Sequence, residues 1–97
     1  MIYGMVADFY GGDFNNHSHQ RHYTDRRKMF CLVARHYGYT FSEIQHFLDF
    51  KSHATIVCAC KTMHNLMEVY PEFKRQFNII INNLERKLHE QYIIVNE

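Results

Sequence analysis

Near the middle of the chain, His53, Ala54, Thr55, Cys58, Lys61 and Thr62 have the types and spacing of a surface able to enter a nucleic-acid groove. On a helix beginning after Ser52 these residues share one strip. Ile56, Ala59, Cys60, Met63, Leu66 and Met67 recur at helical spacing on the other face and predict a continuous buried stripe. Entry into a major groove needs short side chains for close approach, donors and acceptors for base edges, and a positive helix-dipole end facing phosphate. His53 and Thr55 supply the polar groups, Ala54 can meet a thymine methyl, and Lys51 and Lys61 flank them with positive charge. Ser52 suits the N-cap, where a hydroxyl can accept from a first-turn backbone N–H.

Other chemistries fit the residues less well. His17, His19 and His22 crowd one segment, and Cys58 and Cys60 lie two apart. Residues two apart on a helix point roughly 200° apart, so the two thiols cannot hold one zinc ion there, and no CxxC pair occurs. No metal is therefore expected. Cys31 and His36, five apart on a helix, diverge and lack a third group to orient them, so no catalytic residue is assigned. No Gly-rich phosphate loop is present, and neither a nucleotide nor any other cofactor is expected.

The elements that must position these residues can be read in order. Residues 1–10 are apolar and aromatic, either a short helix or an extended arm, and Gly11-Gly12 interrupts them. A polar, His-rich loop follows to residue 24. Thr24 or Asp25 can cap a helix over about 25–37 with Met29, Phe30, Val33 and Tyr37 inward, and Gly38 can end it in the left-handed conformation. Thr40-Phe41-Ser42-Glu43 has the form of a capping box and opens a short helix, about 41–48, that should bury Phe41, Ile44, Phe47 and Leu48. A turn over 49–51 leads to the helix carrying the strip, which runs to about Val69. Pro71, the single proline, fits the first turn of the last helix, whose stripe is Phe73, Phe77, Ile80, Ile81, Leu84 and Leu88. Tyr92 to Val95 form a β-prone, adhesive tail. The fold class is all-α: a compact helical bundle divided into an arm and loop (1–23), a main domain (24–91) and a tail (92–97).

At 97 residues, 46% hydrophobic and 15% aromatic, the chain suits one small packed domain. Its net charge is only +1, so overall charge does not advertise a polyanion partner. The distribution is more informative, since Arg21, Arg26, Arg27, Lys28 and Arg35 face Asp25 alone within residues 17–35. Three cysteines without a signal-peptide pattern predict free thiols in a reducing, cytoplasmic setting. No apolar run approaches the roughly 20 residues that cross a bilayer, and no membrane role is expected.

The run Lys51-Ser52-His53-Ala54-Thr55-Ile56-Val57-Cys58-Ala59-Cys60-Lys61 resembles the signature of the duplex-binding C-terminal domain of the bacterial replication initiator DnaA. That family typically reads Arg-Asp-His-Thr-Thr-Val, two variable residues, then Ala-Cys and a basic residue. Glu43-Ile44 and the pair Arg26-Arg27 also fall where the family carries a Glu-Ile and a basic pair, so the resemblance spans about residues 24–88. It implies a Trp-repressor-like helix-turn-helix and double-stranded DNA as partner, without an ATPase portion. His53, Ala54 and Thr55 would contact bases, while Arg26, Arg27, Lys28, Lys51 and Lys61 would contact phosphates. Arg21 would stand in for the family's minor-groove arginine. Asp49-Phe50 replaces two family glycines, Ser52 an aspartate and Ala54 a threonine, which implies a kept scaffold with an altered or weaker sequence preference. The alternative is a protein-interaction or regulatory module that retains the fold, with a protein partner or self-association through the termini.

Overall fold

The computed structural model describes residues 2–12 and 21–96, apart from the side chains of 21, 22 and 91–96. Five helices follow in order: α1 (Ile2–Tyr10), α2 (Arg21–His36), α3 (Phe41–Leu48), α4 (His53–Val69) and α5 (Pro71–Asn96). No strand occurs among the described residues. No described helix is long and apolar enough to cross a membrane.

Helix α2 packs against all four others, most extensively against α4. It therefore has to be apolar around much of its circumference. Arg27, Met29, Phe30, Cys31, Val33 and Ala34 are all buried along it. Ile56, Cys60 and Met63 of α4, Ile44 and Leu48 of α3, Ile80, Ile81 and Leu84 of α5, and Val6 of α1 join them in one core. Side chains of this size contribute roughly 1.5–3 kcal/mol each when fully buried. The stripe read on α4 is the one observed, with Ala59, Leu66 and Met67 half-buried at its margins.

One device ends three successive helices. Gly12 N–H donates to Ala7 O and Gly11 N–H to Asp8 O at the end of α1. Tyr39 donates to Ala34 O and Gly38 to Arg35 O at the end of α2; Phe50 donates to Gln45 O and Asp49 to His46 O at the end of α3. This paired pattern satisfies carbonyls that the helix leaves open and needs one left-handed residue. Gly11 (φ 81°), Gly38 (φ 91°) and Asp49 (φ 58°) are those residues. The α3 turn is reinforced by Gln45 Nε2, which donates to Phe50 O at 3.1 Å. At the start of α3 the capping box is complete. Thr40 Oγ1 accepts from Glu43 N–H (3.1 Å) and Glu43 Oε1 from Thr40 N–H (3.0 Å), which holds the Glu43 carboxyl below its ordinary range. The break between α4 and α5 has a different cause. A residue before proline is pushed out of the helical region, and Tyr70 (φ −114°, ψ 107°) is extended ahead of Pro71.

Residues 2–10 are a helix, one of the two forms that the sequence left open for them. Three expectations are revised. Helix α2 begins at Arg21, about a turn ahead of the Thr24 or Asp25 cap, and its first turns carry Arg26, whose guanidinium lies over the rings of Tyr23 and of Tyr10 in α1. Phe47, expected inside, is 54% exposed and forms a ring triangle with Tyr3 and Phe30, with centroids 5.5–5.6 Å apart. The segment 92–95, read as a β-prone tail, continues α5, since neither Gly nor Pro follows Pro71 to stop it. At about 1.5 Å per residue, α5 runs about 39 Å, close to the 45 Å long axis of the molecule. Leu88, the last stripe residue read from the sequence, is already 39% exposed.

Asp49 holds a conformation that glycine adopts without Cβ strain, so Asp49→Gly should raise stability by about 0.5–1 kcal/mol. Thermal melts of the two proteins should differ by a few degrees in its favour. A lower melting temperature for the variant would mean that the aspartate side chain itself sustains the turn.

Candidate nucleic-acid interface

The exposed strip begins at the turn between α3 and α4. Asp49 lies at the surface, while Phe50 turns inward, half-buried against the core and out of the path of anything approaching the turn. Lys51 is exposed, and Ser52 occupies the N-cap in an extended conformation (φ −123°, ψ 127°). Its position is as expected, but its hydroxyl makes no capping hydrogen bond, so no side-chain cap from Ser52 covers the first-turn N–H groups of α4. His53, Ala54, Thr55, Cys58, Lys61 and Thr62 are all exposed. Lys61 lies seven residues beyond Ala54 and so returns to nearly the same face.

His53 is held from below. Its ring meets Phe41 of α3 edge-on at 5.5 Å, and the Arg35 guanidinium of α2 lies over the same phenyl ring at 4.5 Å. Arg35 Nη1 also donates to Tyr39 O at 2.7 Å, clamping the α2–α3 turn. Phe41 thus links a cation on α2 to the first residue of α4. Sequence reading placed Phe41 in the core and counted Arg35 only as charge; an aromatic ring opening a capping box was the available signal for this contact.

The basic residues of α2 separate. Neighbours on a helix point about 100° apart, and Arg26 and Arg27 go to different places. The Arg26 guanidinium lies over Tyr10 at 5.1 Å and Tyr23 at 5.9 Å, on the α1 side. Arg27 is buried, 7% exposed, and lines a cleft of about 620 Å³ between α2 and α4. Lys28, Ala54 and Thr55 line that same cleft. The structure therefore brings Arg27 and Lys28 to the first turn of α4 and takes Arg26 elsewhere. The sequence contained no sign of the cleft, which depends on how closely two helices approach. Arg21 as a minor-groove residue, and a site built on His17, His19 and His22, lie outside the described side chains.

The thiols are distributed as helix geometry requires. Cys58 is exposed and Cys60 buried, on different faces of α4. Burial pushes the Cys31 thiol well above its ordinary range, nearby Cys60 adds to the rise, and Arg27 opposes it. Burial likewise raises Cys60, opposed by Arg35. Both therefore stay protonated and weakly nucleophilic. His36, the other member of the pair weighed for catalysis, is exposed and stacks edge-on against Phe77 at 5.7 Å. No group of three or more metal-binding side chains is assembled among the described residues.

No protein-family model, characterised protein or solved structure matches this chain.

Tyr10, which lies under the Arg26 guanidinium, supplies a pH test of its own burial. Its hydroxyl donates to Gln76 Oε1 at 2.8 Å. Burial pushes its pKa up to about 12, with Arg26 acting to lower it and Asp25 to raise it. The folded state favours the neutral phenol, so this contribution is complete below about pH 10, the unfolded value, and is lost as pH rises toward 12. Thermal melts between those two pH values should fall more steeply for the native chain than for Tyr10→Phe. Parallel curves would mean that Tyr10 is not held in this buried state.

Proposed function

We propose that this chain binds double-stranded DNA, with α3 and α4 acting as a helix-turn-helix similar to that of the DnaA C-terminal domain. The observation that carries the reading is the joint exposure of His53, Ala54 and Thr55 in the first turn of α4, beside Lys51 and the cleft that holds Lys28. In this reading α4 enters the major groove by its N-terminal turn. His53 and Thr55 meet base edges, Ala54 meets a thymine methyl, and the first-turn N–H groups face a phosphate. Lys28, Lys51 and Lys61 are the backbone contacts. Arg26 supports the fold through its aromatic contacts with Tyr10 and Tyr23. The reading assigns the chain no catalytic step, cofactor or nucleotide, and its setting is the bacterial cytoplasm, in replication control or a mobile element.

A second reading has its own observation. A groove of about 690 Å³ between α1, α2 and α3 is lined by Tyr3, Phe30 and Phe47, with Tyr39, itself 47% exposed, at its edge. Apolar surface of this kind suits a protein contact, and it supports an interaction module that keeps the helical scaffold without DNA affinity.

Two measurements on duplex binding separate the readings. Three phosphate contacts predict that log affinity falls against log salt with a slope of roughly −3, and Lys51→Ala with Lys61→Ala should flatten it by about 2. An unaltered slope would place the phosphate-binding surface elsewhere, and no salt-dependent duplex binding at all would leave the interaction module.

His53→Ala should cost roughly 1–3 kcal/mol on a duplex selected for tight binding and little on random duplex. Equal losses on both duplexes would mean that α4 does not read sequence.

A further inference from the structure

The cleft between α2 and α4 has a composition that a plain phosphate contact does not require. We propose that it binds a small organic anion, its phosphate or carboxylate head taken by Arg27 and Lys28 and its flat apolar body lying against Phe50 and Cys31.

Size is the first argument. The cleft holds about 620 Å³, within the roughly 300–1,000 Å³ of small-molecule sites. Water occupies about 30 Å³ per molecule, so a bare phosphate, equivalent to a few waters, would leave most of the space unfilled. The second argument is sign. Two cations line the cleft, and among the described residues lining it there is no carboxylate. Thr55 and Thr62 add hydroxyl groups that can donate to an anion. The third is the burial of Arg27, whose desolvation lowers its pKa. A guanidinium shielded from water interacts with an anion in the same cleft more strongly than an exposed one does. Arg27 already interacts within the fold, and a guanidinium carries five donors in a fixed fork, enough to serve more than one acceptor. Apart from Thr24, the remaining walls are the weakly polar Cys31 and Cys58 and the apolar Phe50, Ala54 and Ala59, which a head group alone would not use. Ala54 and Thr55 belong both to this cleft and to the strip proposed to read bases, so an occupant would lie against the first turn of α4. Binding of the anion itself does not depend on the DNA reading.

The test is a titration of the isotope-labelled full chain with phenyl phosphate, followed by amide chemical shifts at constant ionic strength. Saturable shifts should concentrate at Arg27, Lys28, Thr55, Cys58 and Thr62. Inorganic phosphate should act at the same residues roughly tenfold more weakly, because it lacks the apolar body. Lys28→Gln should weaken phenyl phosphate by roughly threefold or more, and Arg27→Gln by more again. Lys28 is half-buried at the edge of the cleft, so its variant tests the site even if the buried Arg27 substitution fails to fold. Equal affinity for phenyl phosphate and inorganic phosphate, or shifts indifferent to Lys28→Gln, would overturn the proposal. A short duplex is expected to move Lys28 and Thr55 under the DNA reading, so the decision rests on Arg27, Cys58 and Thr62: phenyl phosphate that leaves those amides unmoved would overturn the proposal as well.

Discussion

Everything in this structure depends on the packing of α2 against α4. Helix α2 touches every other helix, and its buried Met29, Cys31 and Val33 share one core with Ile56, Cys60 and Met63 of α4. Fully buried chains of this kind resist truncation, since each loss combines the transfer term with a cavity. The pairing also sets the function-bearing geometry. It buries one face of α4 and so decides which residues of that helix, the strip of His53, Ala54, Thr55, Cys58, Lys61 and Thr62 among them, are left outside. The same approach of two helices creates the cleft in which Arg27 and Lys28 stand beside Ala54 and Thr55. Core and candidate site are two sides of a single interface.

The turns carry the second constraint. Helices α1, α2 and α3 stop by the same paired hydrogen-bond pattern around a left-handed residue. Two of those residues are glycines; the third, Asp49, precedes the proposed reading helix. An aspartate tolerates that conformation better than most side chains, at some cost. Its own turn is also closed by the Gln45 side chain on Phe50 O. The direction of α4 is thus determined within a few residues by local hydrogen bonds, and the link from Arg35 through Phe41 to His53 ties its first residue back to α2.

Features governed by local chemistry were legible in the sequence. The Gly38 terminator, the Thr40–Glu43 box, the Pro71 start and the two-sided pattern of α4 each depend on residues within a turn or two of one another, and each stands where it was read. The all-helical class follows from them. What could not be read depends on contacts between distant segments. Phe47 has a core residue's type and spacing, yet α3 is only two turns long and Phe47 faces the Tyr3 and Phe30 rings at the surface. Arg26 and Arg27 look like one basic pair, and only the positions of α1 and α4 separate them. For the site, the strip on α4 was legible because it is the complement of an apolar stripe, whereas the cleft beside it was not.

The distribution of cations bears on how any anion would be bound. The chain is close to neutral, Arg26 is engaged with two tyrosines, and Arg27 is inside. Long-range attraction of a polyanion is therefore weak, and the exposed lysines near α4 are few and screened by salt within about 10 Å. Binding by such a surface has to rely on fit more than on charge. That requirement agrees with the construction around α4: a first residue braced by Phe41, a turn fixed by hydrogen bonds, and a helix whose Ile56, Cys60 and Met63 are buried in the core. Rigid placement lowers the ordering cost of binding, and a few short-range contacts can then discriminate between partners where a broad basic face would not. The same logic applies to the α2–α4 cleft. A cation held inside low-dielectric walls interacts more strongly with a bound anion than a surface lysine does, so Arg27 loses reach and gains selectivity for an anion small enough to enter.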